Sequence, residues 1–202
     1  MTKTHTNIIG LSGTNGSGKD TVGHMLAERH NFLFISVTDL LRQEARARGE
    51  EPTREILRTI SAEWRRESGS LGVLIDKAVE QYEQVASDFP GGLVVASLRN
   101  PGEADRVHEL NGCVVWTDAD QKVRYERITA HAADRGRAGE DNRTFEQFQA
   151  DEAAEMTTSG DAATLNMSAV RERADIFVNN DGNDIETFKN EAELALHLEN
   201  IL

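Results

Sequence analysis

Five short apolar runs punctuate the chain. "NIIGLSG" (7–13), "FLFISV" (32–37), "GLVVASL" (92–98), "CVVWTD" (113–118) and "DIFVNND" (175–181) are continuous rather than alternating, the pattern of strands covered on both faces. "FPGG" leads into the third and Asp181-Gly182 closes the fifth. The stretches between them have helical spacing, as with Val22, Met25 and Leu26 in a helix over 17–30. Residues 38–86 read as almost wholly helical, with breaks near "GEEP" (49–52) and "SGSLG" (68–72). Further helices are predicted over 121–133, 144–157 and 166–174. In the tail, Ile185, Phe188, Ala192, Ala195 and Ile201 share a face. The acid-rich "EDNRTFEQFQADEAAEM" reads as an exposed amphipathic helix with Phe145 and Phe148 turned inward.

Strands that alternate with helices predict an α/β protein whose five-stranded parallel sheet is covered on both faces. No repeat or Pro- or Ser-rich linker divides the 202 residues, so one domain is expected. Such sheets bind ligands beyond the carboxyl ends of their strands, where the chain's chemically suggestive residues fall.

After the first strand comes "GTNGSGKDT". Gly13, Gly16 and Gly18 allow positive φ and a close backbone approach, so that successive N–H groups can line one concavity at a helix N-terminus. Gly13, Gly18 and Lys19 meet the G-x4-G-K spacing of a phosphate-binding loop in its strand–loop–helix context. Gly13, Thr14, Asn15, Gly16, Ser17, Gly18, Lys19, Asp20 and Thr21 are the candidate donor-nucleotide residues. The usual Ser or Thr after the lysine is replaced by Asp20, with Thr21 one place on. A carboxylate repels phosphate but suits the magnesium that accompanies ATP. The alternative is a solvent-facing acid favoured by the helix dipole.

Composition limits the partners. The net charge of -13 repels nucleic-acid polymers and anionic membranes, and 5% aromatics leave little to stack on bases. An anionic ligand therefore needs a local cluster of cations. The lone Cys113 excludes an internal disulfide and reads as a small buried hydrophobe, and no apolar run approaches a membrane span. A cytoplasmic monomer or homodimer is expected. The six histidines lack metal-ligand spacing.

The G-K-x-T run resembles the G-K-G-T of adenylate kinases and related nucleoside monophosphate kinases. "ISVTDLLR" is similar to their "IST-GD-LLR", with Ser36, Thr38, Asp39, Leu40, Leu41 and Arg42 in order. The resemblance implies a three-layer α/β/α P-loop NTPase fold that uses ATP and Mg2+. It implies a core of 1–37, 89–122 and 174–202, a helical acceptor-binding insertion over about 38–88, and a short lid over about 123–143. Thr38, Asp39, Arg42 and Arg99 would hold a small-molecule nucleotide-type acceptor, the arginines gripping its phosphate as forks. "KVRYERITAHAADRGRAGEDN" resembles the lid of cytidylate and uridylate kinases, so Arg124, Arg127, Arg135 and Arg137, with Lys19 and Arg99, would act catalytically on the transferring group.

The chain departs from the pattern after the third strand. Counted back from Arg99, the family's magnesium-associated aspartate falls at Val95, which leaves Asp20, Asp118 or Asp120 as candidates, and "RNPGE" fits neither these kinases nor dephospho-CoA kinases well. The expected activity is transfer of the γ-phosphoryl group of ATP to a nucleoside or deoxynucleoside monophosphate. A rival is dephospho-CoA kinase-type phosphorylation of a ribose hydroxyl, with Asp39 and Arg42 present but Val37 where the first acid belongs. A third is a non-catalytic ATP-binding sensor, which the missing acid favours.

Overall fold

The computed structural model describes residues 7–130, 143–157 and 160–198. Strands β1 (Ile8–Gly13), β2 (Phe32–Ser36), β3 (Gly92–Ala96), β4 (Cys113–Asp118) and β5 (Ile176–Asn179) form one parallel sheet in the order β2-β3-β1-β4-β5. The register runs Ile9 to Val94 and Cys113 across the centre, and Trp116 to Phe177 at the β4–β5 edge. Helices α1 (Lys19–His30), α2 (Val37–Ala47), α3 (Arg54–Ser68), α4 (Val73–Val85), α5 (Pro101–Glu109), α6 (Gln121–Ala130), α7 (Phe145–Met156), α8 (Met167–Glu172) and α9 (Ile185–Ala195), with a short 3-10 turn at Ala86–Asp88, complete the described elements.

The strands are continuously apolar because each feeds two cores. Ile8, Leu93, Val95, Val114 and Trp116 point to one face, where residues of α2–α5 and α8 cover them. Ile9, Leu11, Val94, Ala96 and Val115 point to the other, under α1 and α9. This is the three-layer α/β/α arrangement. Each fully buried Leu or Ile contributes about 2 kcal/mol over leaving it in water. Gly10 sits where a Cβ would come within 2.8 Å of Leu98, so β1 and the turn after β3 can pack closely.

Several helices start where side chains satisfy their first N–H groups. Thr53 accepts from Ile56 before α3, and Thr144 and Gln147 form a capping box before α7. The unassigned "RNPGE" opens α5, a helix absent from the sequence reading. Asn100 caps it, Pro101 is its first residue and Glu103 closes a capping box. The tail helix needs a correction. Phe188 and Ala192 are buried as expected, but Ile185 is 57% exposed, and Ile201 lies outside the described residues. Cys113 is half-buried against the core beneath α1. Among the described residues no helix is long and apolar enough to cross a membrane.

Candidate functional site

The loop after β1 is held from below. Ser17 Oγ is 2.7 Å from Thr117 Oγ1, Thr14 Oγ1 donates to Asp118 Oδ1 (2.8 Å), and Ser12 Oγ donates to the Leu98 carbonyl (2.7 Å). Asn180 Nδ2 reaches over from the end of β5 to the Ser17 carbonyl (3.0 Å). Two glycines are required by this geometry. At Gly13 (φ 145°) a Cβ would lie 2.2 Å from the Thr117 carbonyl oxygen. At Gly18 (φ 99°) it would lie 2.5 Å from Asn180 Nδ2. Lys19 opens α1 and is 8% exposed, its Nζ 3.5 Å from the Thr14 carbonyl oxygen. Among the described residues Asn15 Nδ2 is buried without a hydrogen-bond partner, a donor suited to an anion.

This loop forms one wall of a cavity of about 650 Å³ at the carboxyl ends of the strands. Asn15, Gly16, Gly18, Lys19, Asp20 and Thr21 line it from the loop and the start of α1. Thr38, Leu41, Arg42, Leu57 and Ser61 line it from α2 and α3, with Arg99 from beyond β3. Its charge contrasts with that of the chain. Among the described residues six cations (Lys19, Arg42, Arg54, Arg58, Arg99, Arg127) face two carboxylates, Asp20 and Glu155, in a molecule of net charge -13.

The expected site residues that the structure describes divide into three groups. Asn15, Gly16, Gly18, Lys19, Asp20, Thr21, Thr38, Arg42, Arg99 and Arg127 meet in the cavity. Gly13, Thr14 and Ser17 support the loop from beneath. Asp39 and Arg124 stand outside the cavity lining. The Asp39 side chain is 59% exposed and accepts from Arg42 Nη1 at 2.8 Å. Arg124 is 3% exposed. Its Nε donates to the Ala119 carbonyl (2.8 Å), its Nη1 to the Asn15 carbonyl (3.2 Å) and its fork to Glu152 of α7. The shared helical face of Arg124 and Arg127 is therefore split. Arg127 donates instead to the carbonyls of Asn180 (2.8 Å) and Gly182 (2.5 Å), bracing the loop after β5. Arg135 and Arg137 lie outside the described residues.

The acids can also be placed. Val95 is fully buried in the core. Asp118 holds Thr14 and its neighbour's backbone, and Asp120 accepts from the first N–H groups of α6. Of the three candidates only Asp20 lines the cavity, exposed and next to the Thr21 hydroxyl.

The lining residues absent from the sequence reading include Arg54, Arg58, Ser61 and Glu155, and the exposed amphipathic helix expected here is found as α7 except that Glu152 and Glu155 turn inward to arginines. Glu155 Oε1 accepts from Arg58 Nη2 (2.9 Å) and lies 3.6 Å from Arg54 Nη1, and Oε2 accepts from Arg99 Nη1 (3.1 Å). Burial alone would raise the pKa of this carboxyl, but Arg99, Arg54 and Arg58 outweigh it and hold Glu155 below the usual carboxylate range. Only the acid density of α7 hinted at this. Arg99 is positioned from behind. Its backbone N–H donates to Glu103 Oε2 (2.7 Å), and Glu103, fully buried, pairs with Arg65 at 2.5 Å. Ser97 adopts φ 72°, a left-handed conformation that costs a non-glycine residue about 1–3 kcal/mol, as the chain turns from β3 towards Arg99.

Comparison with known proteins agrees with this geometry. A family model described as "AAA domain" matches residues 9–149. A UPF0200 protein of Pyrobaculum aerophilum is 30% identical over 188 residues, covering 92% of this chain and 94% of its own. A cytidylate kinase of Methanocella arvoryzae is 32% identical over 126 residues, covering 60% of this chain and 61% of its own. In structure, the chain is similar to a shikimate kinase from Bacteroides thetaiotaomicron, with a TM-score of 0.57 at 16% identity, covering 95% of this chain and 98% of that one. The family model, the near full-length relative and the shared fold show that the chain belongs to the AAA-domain family and to the UPF0200 proteins, as a P-loop kinase-like protein.

Proposed function

We propose that this chain is a phosphotransferase that moves the γ-phosphoryl group of ATP to a small acceptor bearing its own phosphate, in the class of nucleoside monophosphates. The observation that carries this reading is the cavity itself. A phosphate-binding loop lines one part of it and an arginine cluster another, so that a donor's terminal phosphate and an acceptor's anionic group can share one cavity.

In this reading the loop amides and Lys19 hold the donor phosphates, and Asn15 Nδ2 adds a donor. Arg127 braces the 180–182 backbone that forms the wall beside them. Arg99, Arg54 and Arg58 take the acceptor's anion, with Arg42 next to them. Arg124 acts as a positioning residue by tying the loop to α7. The residues at the donor end also fit magnesium. The Asp20 carboxylate and Thr21 hydroxyl are hard oxygen donors beside the loop, suited to an ion that keeps most of its waters and phosphate ligands. Bound there, magnesium would supply neutralisation of charge on the donor's phosphate oxygens.

A phosphate acceptor is already an anion and needs no base. A hydroxyl acceptor needs one, and Asp39, the residue nominated for that role, is exposed and outside the cavity lining. The placement of Asp39 therefore supports a phosphate acceptor over dephospho-CoA kinase-type chemistry. The test is ADP release from Mg-ATP with a panel of nucleoside and deoxynucleoside monophosphates, dephospho-CoA and shikimate. We expect turnover with a monophosphate. ADP formed only with a hydroxyl acceptor would overturn the acceptor class, and ATP binding without ADP from any acceptor would establish the sensor.

A further inference from the structure

Glu155 is an anion in an anion's place. Its two oxygens meet guanidinium groups from α3 and from the turn after β3, at 2.9, 3.1 and 3.6 Å. Its side chain is 12% exposed. Forks converging from separate segments on one small acid are what a phosphate's several terminal oxygens require. Burial opposes the ionised form, yet the arginines keep Glu155 ionised at neutral pH.

Its helix is anchored unevenly. At the other end of α7, Phe145 and Phe148 pack on Tyr125 with ring centroids 5.2 and 5.7 Å apart. One turn before Glu155, Glu152 receives the fork of Arg124. At the acceptor end Glu155 supplies the ion pairs, next to Met156 packed on the core. The helix thus links a donor-side arginine to the acceptor-side arginines through two carboxylates a single turn apart.

We propose that Glu155 is a built-in competitor for the acceptor's anionic group, occupying the Arg54–Arg58–Arg99 site until a phosphate-bearing molecule displaces it and frees the end of α7. This rests on the acceptor reading given above. A tethered carboxylate competes at high effective concentration. A free carboxylate, chemically its equal, gains little by exchange. A phosphate brings more charge and a third terminal oxygen, and wins. Glu155 is therefore a specificity-determining residue that selects phosphate-bearing acceptors over carboxylates.

The probes are inorganic phosphate and acetate, titrated by calorimetry into protein whose loop is saturated with a magnesium-bound non-hydrolysable ATP analogue. The site's own contribution is the binding that an Arg58→Ala/Arg99→Ala double replacement removes. Removing the competitor raises the fraction of open sites, so Glu155→Gln should bind phosphate about tenfold more tightly and acquire acetate binding that the wild type lacks. Equal or weaker phosphate binding by Glu155→Gln, or no binding attributable to the arginines in either protein, would overturn the proposal. Hydrogen exchange on the wild type gives a second measure that does not depend on the variant folding. Phosphate should speed amide exchange in residues 152–156, and unchanged or slower exchange there would overturn the displacement. The two readings fail separately. A silent acceptor panel with the phosphate gain intact removes the kinase and keeps the anion site. Turnover of a monophosphate without that gain keeps the kinase and removes the competitor.

Discussion

The two ends of the cavity are built by different means. The donor end is backbone. Its loop is one continuous stretch shaped by Gly13, Gly16 and Gly18 and pinned by short hydrogen bonds to Thr117, Asp118 and Asn180. The acceptor end is side chains. Arg54, Arg58, Arg99 and Glu155 come from three separated segments and meet through ion pairs. A backbone cradle is pre-shaped for any nucleoside triphosphate. A side-chain cluster can be rearranged by its ligand, which in the proposed reading makes it the place where acceptors are told apart.

If the donor end is pre-shaped, a replacement that leaves its glycines alone should cost chemistry and little stability. Lys19→Ala should lower turnover by roughly a thousandfold or more, the scale of losing a fixed cation from a phosphoryl-transfer site, with thermal melting nearly unchanged. ADP release and circular dichroism check this, and retained turnover would remove the loop's cation from the mechanism.

The acceptor end should respond in the opposite sense when its support is removed. Glu103 is fully buried, accepts from the backbone N–H groups of Arg99 (2.7 Å) and Asn100 (3.1 Å), and pairs with Arg65. Glu103→Ala leaves Arg65 buried without its carboxylate, with the Ala163 carbonyl still accepting from it, a loss of about 3–5 kcal/mol, measurable by urea denaturation. Removing an arginine from the front of the site is milder for the fold. Arg99→Ala should raise the acceptor KM by roughly a hundredfold, the scale of a lost charge-assisted pair, with the KM for ATP unchanged. Equal rises in both would mean that the two ends are not separable.

The same contrast explains what could be read without the structure. The strands were legible because a continuous apolar run has one explanation in a sheet buried on both faces, and Val95 shows why its acid is absent, since it fills the core. The loop was legible because glycine spacing is a local property. Arg54, Arg58 and Glu155 were not, because nothing within α3 or α7 states that they will meet. The periodicity of α7 showed its Phe148 face, but whether its acids meet water or guanidinium depends on α3 and the turn after β3. Arg124 and Arg127 fit a lid pattern in sequence, yet folding sends one to Glu152 and the other to the carbonyls after β5. Helix α5 was legible and missed. Asn100, Pro101 and Glu103 carry the cap, the first-turn proline and the capping box that mark a helix start.

The smallest expected effect tests whether the acceptor end is held by charge. Glu155 has a depressed pKa in the fold, lowered by Arg99, Arg54 and Arg58 against the opposing effect of burial. A group of this kind contributes stability that is present above its ordinary value, about 4.5, and is lost as the pH falls through the lower folded value. At neutral pH Glu155→Gln should therefore be less stable than the wild type by about 1 kcal/mol, because the arginines it serves are partly solvated and screened. That difference should shrink as the pH falls below 4.5, since the protonated wild-type carboxyl then resembles the glutamine. Urea midpoints at pH 7 and at successively lower pH measure the convergence. A difference that stays constant with pH would mean that packing by the end of α7, rather than its charge, closes the acceptor end.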